Sequence, residues 1–267
     1  MTAVYDSRTD RGIADLKAAL AQAGLLWMLA LRDIRARYRR STLGPFWITA
    51  SMTATVFGMS FVFAALMNRD YQDYVPYLAV GMAVWSLLTG MIGEGSTALI
   101  NAAHVVKNTT GPLSAHVFRQ QFQHLIFYAH NILPGFALIL LVGHASLAGT
   151  LLSICGLALT FFAASWMGLL VAVISARFRD VPQIVVNVVQ VLFFLTPIIW
   201  NPADLGRNRF VLDLNPFYYL VTIVRDPLRG VLPPGHAWLV VAAIGIIGWI
   251  VTALVYERVH DRLTKWL

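Results

Sequence analysis

Few side chains in this sequence are of a type and spacing that could do chemistry. The lysines are Lys17, Lys107 and Lys265, and none closes the G-x-x-x-x-G-K-[ST] pattern whose backbone cradles nucleotide phosphates. The chain is therefore expected to split no ATP through a P-loop of its own. Asp70 and Asp73 are the nearest pair of the aspartates that hold a divalent cation in membrane glycosyltransferases, but they fall in a short polar hairpin, Asn68 to Asp73, and read as solvated loop charges. His104, His116, His124, His130 and His144 are separated by 12, 8, 6 and 14 residues, so no two make the i, i+4 pair that faces a metal from one helix. No serine, histidine and aspartate fall on a recognisable nucleophile motif. The expectation is no catalytic residue, no metal and no cofactor held by this chain.

What remains is recognition chemistry. Gln22 to Arg40 joins Leu25, Leu26, Trp27, Met28, Leu29 and Leu31 to Arg32, Arg35, Arg37, Arg39 and Arg40. Such a helix lies in the membrane interface, its apolar part at the acyl boundary and its arginines on anionic headgroups. It is either a plain anchor or a place where guanidinium forks meet phosphate oxygens. Glu94 is the one acid inside a long apolar run, where a charge is expensive. It faces a watery conduit or a neighbouring helix, or it reaches the headgroup region; Gly90, Gly93 and Gly95 beside it permit close helix packing. Aromatic residues make up 12% of the chain. Trp47, Trp85, Tyr128, Phe193, Phe194, Trp200, Tyr218 and Tyr219 are candidates to line a passage on which sugar rings stack, each against the alternative of an interface belt or core position. The lone Cys155 has apolar neighbours and reads as a small buried hydrophobe.

The elements that must position these groups follow from composition. Of 267 residues, 58% are hydrophobic and 12% charged, with mean hydropathy +0.67, against roughly 25% charged in a soluble domain. An ordinary water-soluble enzyme is excluded. At about 20 apolar residues per crossing, the chain has room for about six spans. They are read at 46–67, 75–99, 125–142, 146–176, 181–200 and 237–256, and Pro134 should kink the third unless neighbours satisfy the freed carbonyl. Asp6, Arg8, Asp10, Arg11, Asp15 and Lys17 precede any long apolar run, unlike a cleaved signal peptide. With six spans, fifteen of the twenty Lys and Arg residues fall on the side of the termini, eight of them before residue 46. The positive-inside rule then puts both termini in the cytoplasm, and the basic balance of +7 is a topology signal that implies no nucleic-acid partner.

Two segments fit no simple crossing. Within 201–236, the stretch 210–224 is too short to span and too apolar for a free loop, and it contains Asp213, Asn215 and Pro216; a re-entrant pair of half-helices is expected. The inner stretch 101–123, with Lys107, Gly111, Pro112, His116 and Arg119, is either a short helix fitting a cleft on a partner or a solvated loop. The fold class is an all-α membrane protein: one domain over 1–267, with six transmembrane helices, an amphipathic interface helix at 22–45 and outer re-entrant helices.

The run Leu31 to Trp47 resembles the R-D-I-x-x-R-Y-x-x-S-x-L-G-x-x-W signature that opens the permeases of polysaccharide-exporting ABC transporters, of the O-antigen, capsule and teichoic acid type. Tyr77 to Gly81 with Trp85, Arg177 to Val181, Thr196 to Trp200 and Asn215 to Tyr219 extend the likeness from about Leu25 to the C-terminus. The resemblance implies a half-transporter in a bacterial inner membrane. Two copies form a channel, each docked on a separate P-loop ATPase subunit that binds ATP and Mg, and a lipid-diphosphate-linked glycan, such as an undecaprenyl-linked O-antigen, moves outward. It places headgroup capture at Arg32, Arg35, Arg37, Tyr38, Arg39 and Arg40, and ATPase coupling at Lys107, Pro112, His116 and Arg119. It places an outer gate at Asn215, Pro216, Phe217, Tyr218 and Tyr219. Thr109 and Thr110, then Gly111 before Pro112, make the inner loop less helical than in many relatives. The rival readings are an ABC permease for a drug or small lipid, and a membrane-embedded glycan-lipid enzyme using Glu94, Asp180 or the outer aspartates.

Overall fold

In lipid a chain must satisfy its own backbone, and a helix does so within one segment. The computed structural model describes residues 11–108, 111–143 and 145–267, and every regular element among them is a helix. Asp6, Arg8, Asp10, Thr109, Thr110 and His144 lie outside the described residues, as do the side chains of Arg207 and Arg209. In order the elements are α1 (Arg11–Ala21), α2 (Ala23–Arg37), α3 (Phe46–Leu66), α4 (Tyr71–Thr89), a π-helical turn (Gly90–Glu94), α5 (Gly95–Asn101), α6 (Ala103–Asn108) and α7 (Ser114–Val142). There follow α8 (Leu147–Arg177), α9 (Val181–Leu195), a 3-10 stretch (Pro202–Arg209), α10 (Phe210–Asp213), α11 (Pro216–Leu228) and α12 (Gly235–Trp266). Among the described residues, five helices are long and apolar enough to cross a membrane: α3, the continuous run Tyr71–Asn108, α7, α8 and α12.

The helices depart from the spans read in the sequence mainly at their ends. α7 begins at Ser114 and α12 runs on to Trp266, because polar turns that leave lipid still pack on protein. His116 and Arg119 therefore lie on α7 rather than in a loop. The run expected over 181–200 stops as a helix at Leu195, and its 15 residues fall short of a bilayer. Pro197 forces this: the residue before a proline is pushed out of the helical region, and Thr196 is extended at ψ 134°. α2 ends at Arg37, so Arg39 and Arg40 sit in turns and not on a helix reaching 45. α1 precedes it as a separate helix, bent by 67°. Cys155 is exposed, contrary to expectation: the lipid-facing side of α8 is as apolar as its buried side, so apolar neighbours do not imply burial.

The buried side of α8 is a row of small residues, Gly149, Ser153, Gly156 and Thr160, against which α11 lies with backbone nearly in contact. A Cβ on Gly156 would stand 2.2 Å from the Ile223 carbonyl oxygen, and one on Gly149 2.3 Å from that of Pro227. Ser153 Oγ donates to the Val224 carbonyl at 2.7 Å and Thr160 Oγ1 to that of Leu220 at 3.0 Å. This is the small-residue packing that membrane helices use where hydrophobicity gives no preference. α7 runs through Pro134 unbroken. The proline cannot donate to His130, and the freed carbonyl instead accepts from Thr49 Oγ1 of α3 at 3.2 Å.

Candidate functional site

Three sites stand out where polar side chains gather among the described residues. The first is a chamber of about 700 Å³ between the end of α2, the start of α3, the π-helical turn, α7 and α9. Arg37 lies at its mouth, over the Phe127 ring at 5.5 Å, with Tyr38 and the exposed Trp47 beside it. Glu94 ends the π-helical turn, a distortion that often marks functional positions. His124 Nε2 lies 3.3 Å from Glu94 Oε2, within ion-pair reach but off the line of a hydrogen bond. Gly90 makes room for the imidazole: a Cβ there would fall 2.1 Å from His124 Nδ1. The Glu94 carboxylate lines the chamber and lies against a neighbouring helix, with its side chain more than half exposed.

The second site knits the pole remote from the termini. Asn215 accepts from Phe217 N at 3.0 Å, capping α11, while its Nδ2 donates to Leu195 O and Thr196 Oγ1, each at 3.1 Å. The carbonyls released where α9 stops find donors on α4. Tyr74 donates to Ile199 O at 2.7 Å, and the Tyr77 hydroxyl lies 2.7 Å from both Pro197 O and Trp200 O. Arg225, 1% exposed, stacks on Tyr77 at 4.1 Å and donates to Pro197 O at 2.6 Å. Arg69 and Asp204 pair across the same pole, and Asp70 caps α4 through Gln72 N rather than standing as a free loop charge.

The third site lies at the pole that carries residues 11 and 267. Asp15 of α1 is buried and accepts from Leu113 N at 2.5 Å, Ser114 N at 3.1 Å, Ser114 Oγ at 2.5 Å and Tyr256 at 2.8 Å, with His260 Nε2 at 3.3 Å. One carboxylate thus joins α1, the start of α7 and the end of α12. Burial pushes Asp15 up, but the hydrogen bonds from His260, Ser114 and Tyr256 outweigh it and hold its carboxyl below the usual carboxylate value. The hydrogen bond to Asp15 raises His260 above the usual imidazole value, against the effect of burial. A raised histidine contributes its stability in full below the unfolded value of 6.5 and loses it as pH climbs through the folded value. Asp15 loses its own contribution only as pH falls through its lowered value, beneath 3.8. The thermal midpoint in detergent should therefore decline as pH is raised above 6.5, and His260→Gln should flatten that slope; an equally steep decline in the variant would refute the linkage.

Near this pole Arg119 pairs with Asp33 of α2 at 2.5 Å, and Gln123 donates to the same oxygen at 2.6 Å. Burial first, then the Arg119 guanidinium, hold His116 below its ordinary value. Lys107 is exposed on α6 and Pro112 half-buried in the turn before α7. Among the described residues no three His, Cys, Asp or Glu side chains come together as metal ligands.

Residues 24–228 match the ABC-2 type transporter family. The chain belongs to that family. Over 255 residues this ABC-2 chain is 24% identical to an O-antigen export system permease protein RfbA of Myxococcus xanthus, covering 91% of the chain and 95% of the relative. Two proteins of the same description from Klebsiella pneumoniae are 22% identical over 208 residues, covering 76% and 79%, and 21% identical over 248 residues, covering 91% and 95%. The match begins within α2 and ends at α11, so Asp15, Tyr256 and His260 of this ABC-2 transporter lie outside it.

The structure does not bring the predicted aromatic residues to one surface. Trp85 and Tyr128 are buried in the core, Trp85 against Phe193 and Phe217 with centroids 5.7 Å away in each case. Trp47 and Phe194 are exposed, and Trp200 is turned back so that Nε1 donates to Phe194 O at 2.9 Å. Arg32, Arg35, Arg39 and Arg40 are exposed, and Tyr218 packs on the buried Tyr219 at 5.1 Å. Sequence reasoning missed Asp15, His124 as a partner of Glu94, Asn131, and Arg225. Their partners lie on other elements, so no spacing in the sequence points to them.

Proposed function

We propose that this multi-pass ABC-2 chain is the channel-forming permease subunit of an ATP-driven exporter of lipid-linked polysaccharide in a bacterial cytoplasmic membrane. The observation that carries the reading is the polar chamber whose mouth is met by the basic end of α2. Guanidinium forks on exposed Arg37, Arg39 and Arg40 suit the oxygens of a lipid diphosphate, and the undecaprenyl-diphosphate-linked O-antigen type of glycan fits the names of the relatives. The pole of the termini faces the cytoplasm, in keeping with the basic residues gathered there. ATP and Mg are bound by a separate P-loop ATPase subunit, which meets α6 and the turn before α7 and drives the bundle through the Asp15 junction. A second copy meets α9, which has no buried residue in the single chain.

The test is genetic and biochemical together. Deletion should abolish surface polysaccharide while lipid-linked glycan accumulates inside, and the chain should co-purify with a P-loop ATPase. Replacing Arg37, Arg39 and Arg40 by glutamine should lower export severalfold while the complex still assembles; undiminished export would dismiss the headgroup role. Turnover of a lipid-linked sugar by the isolated chain would overturn the transporter reading itself.

A further inference from the structure

We infer that the chamber behind Arg37 is a hydroxyl-recognition subsite, which holds the sugar nearest the diphosphate of the lipid-linked substrate. The inference rests on the export reading above and adds where, and by which groups, the glycan is distinguished from its carrier. Its main support is Asn131, 7% exposed and lining the chamber. Asn131 Nδ2 donates to Ser86 Oγ at 2.9 Å, which orients the amide, and Oδ1 is left without a partner. A buried acceptor left unmade costs about 1–3 kcal/mol; Oδ1 is shielded from solvent in the free chain, so an entering donor reaches it as the amide turns toward the chamber and relieves that cost. The second support is Glu94, whose carboxylate is braced by His124, which in turn occupies the space left by Gly90.

These groups are set apart along the chamber. Arg37 stacks over Phe127, between His124 and Asn131 on α7, and Asn131 lies further from the pole of the termini, about 10 Å along the helix from His124 by its rise. The charge changes along that path. Arg37 marks the mouth, and apart from His124, held against Glu94, no other lining side chain is basic. The pocket offers acceptors, the Glu94 carboxylate and the Asn131 amide oxygen, while the Ser86 hydroxyl is taken up between Asn131 Nδ2 and the Ala83 carbonyl. A phosphate is disfavoured there, whereas sugar hydroxyls, which donate, are matched. Trp47 and Phe127 add the apolar ring faces that cover the C–H side of a pyranose. The volume of about 700 Å³ lies within the range of small-molecule pockets and admits a sugar.

The test measures equilibrium binding to the full-length chain in lipid nanodiscs with two probes, undecaprenyl diphosphate and undecaprenyl diphosphate carrying one N-acetylglucosamine. The glycosylated probe should bind about tenfold more tightly, the worth of one well-made buried hydrogen bond. Asn131→Leu and Glu94→Ala should each bring that ratio toward one, whereas Asn131→Asp, which keeps an acceptor oxygen, should preserve it. Glu94 is more than half exposed, so Glu94→Ala reports even where Asn131→Leu fails to fold. Equal binding of both probes to the unaltered chain, or an unchanged ratio in the variants, overturns the subsite and leaves the export reading standing. Binding of neither probe removes the lipid-linked substrate, and the subsite with it.

Discussion

Replacing Asp15 with alanine should destabilise the chain by on the order of 3 kcal/mol and abolish transport, although Asp15 lies far from the chamber. The carboxylate accepts from two backbone amides, the Ser114 hydroxyl and the Tyr256 hydroxyl, and faces His260. Removing it strands those donors where water has little access, and that desolvation penalty exceeds the worth of any single bond. Its loss also frees the start of α7 from both α1 and α12. Asp15→Asn should be milder, since an amide oxygen in the place of Oδ1 still accepts from Ser114 and Tyr256, while the acceptor of Leu113 N and the pairing with His260 are lost. Thermal unfolding in detergent measures the first effect and export the second. A stable Asp15→Ala variant that transports normally would show that the junction neither holds the bundle nor transmits movement.

Gly156→Val should be at least as severe, for a steric reason. The new Cβ would begin 2.2 Å from the Ile223 carbonyl oxygen, an atom of the backbone that no rotamer change can move away. α11 would have to leave α8, breaking the bonds of Ser153 and Thr160 to its carbonyls, at a cost on the order of 3 kcal/mol or more. Gly58→Ala is the matched control: a Cβ there meets nothing within 4 Å, and an alanine in a helix is worth about 0.5–1 kcal/mol over glycine. The pair should therefore shift the unfolding midpoint in opposite directions, and similar midpoints for both variants would contradict the packing described for α8 and α11.

What the sequence made legible and what it hid divide along physical lines. Bilayer thickness sets the length of an apolar run, so the spans around α3, α4, α7, α8 and α12 could be read from hydropathy. Their ends could not, because the first turns of α7 and the last of α12 are polar yet packed, and hydropathy registers only lipid. The apolar run 181–200 overruns α9, because Pro197 and Ile199 are as apolar as a span while a proline ends the helix. Glu94 was legible as an expensive charge. The spacing of His124 from the other histidines hides its role, because its partner lies on another helix and such pairing leaves no periodic trace. Asn131 passed unnoticed for the same reason. Charge counting gives Arg225 a side of the membrane and not a depth. Its burial depends on Tyr77 and on the carbonyl of Pro197, both far away in sequence.

Pro134 has a role beyond being tolerated in α7. A helix interior normally presents no vacant carbonyl to its neighbours, so its packing partners are chosen by side chains and drift as those side chains change. By withholding one amide hydrogen, the proline leaves a single backbone acceptor on α7, at His130, and Thr49 occupies it. The register of α3 along α7 is thereby keyed to a main-chain atom. The wall of the chamber that carries Trp47 keeps its height relative to Asn131 whatever the lipid-facing residues of the two helices become.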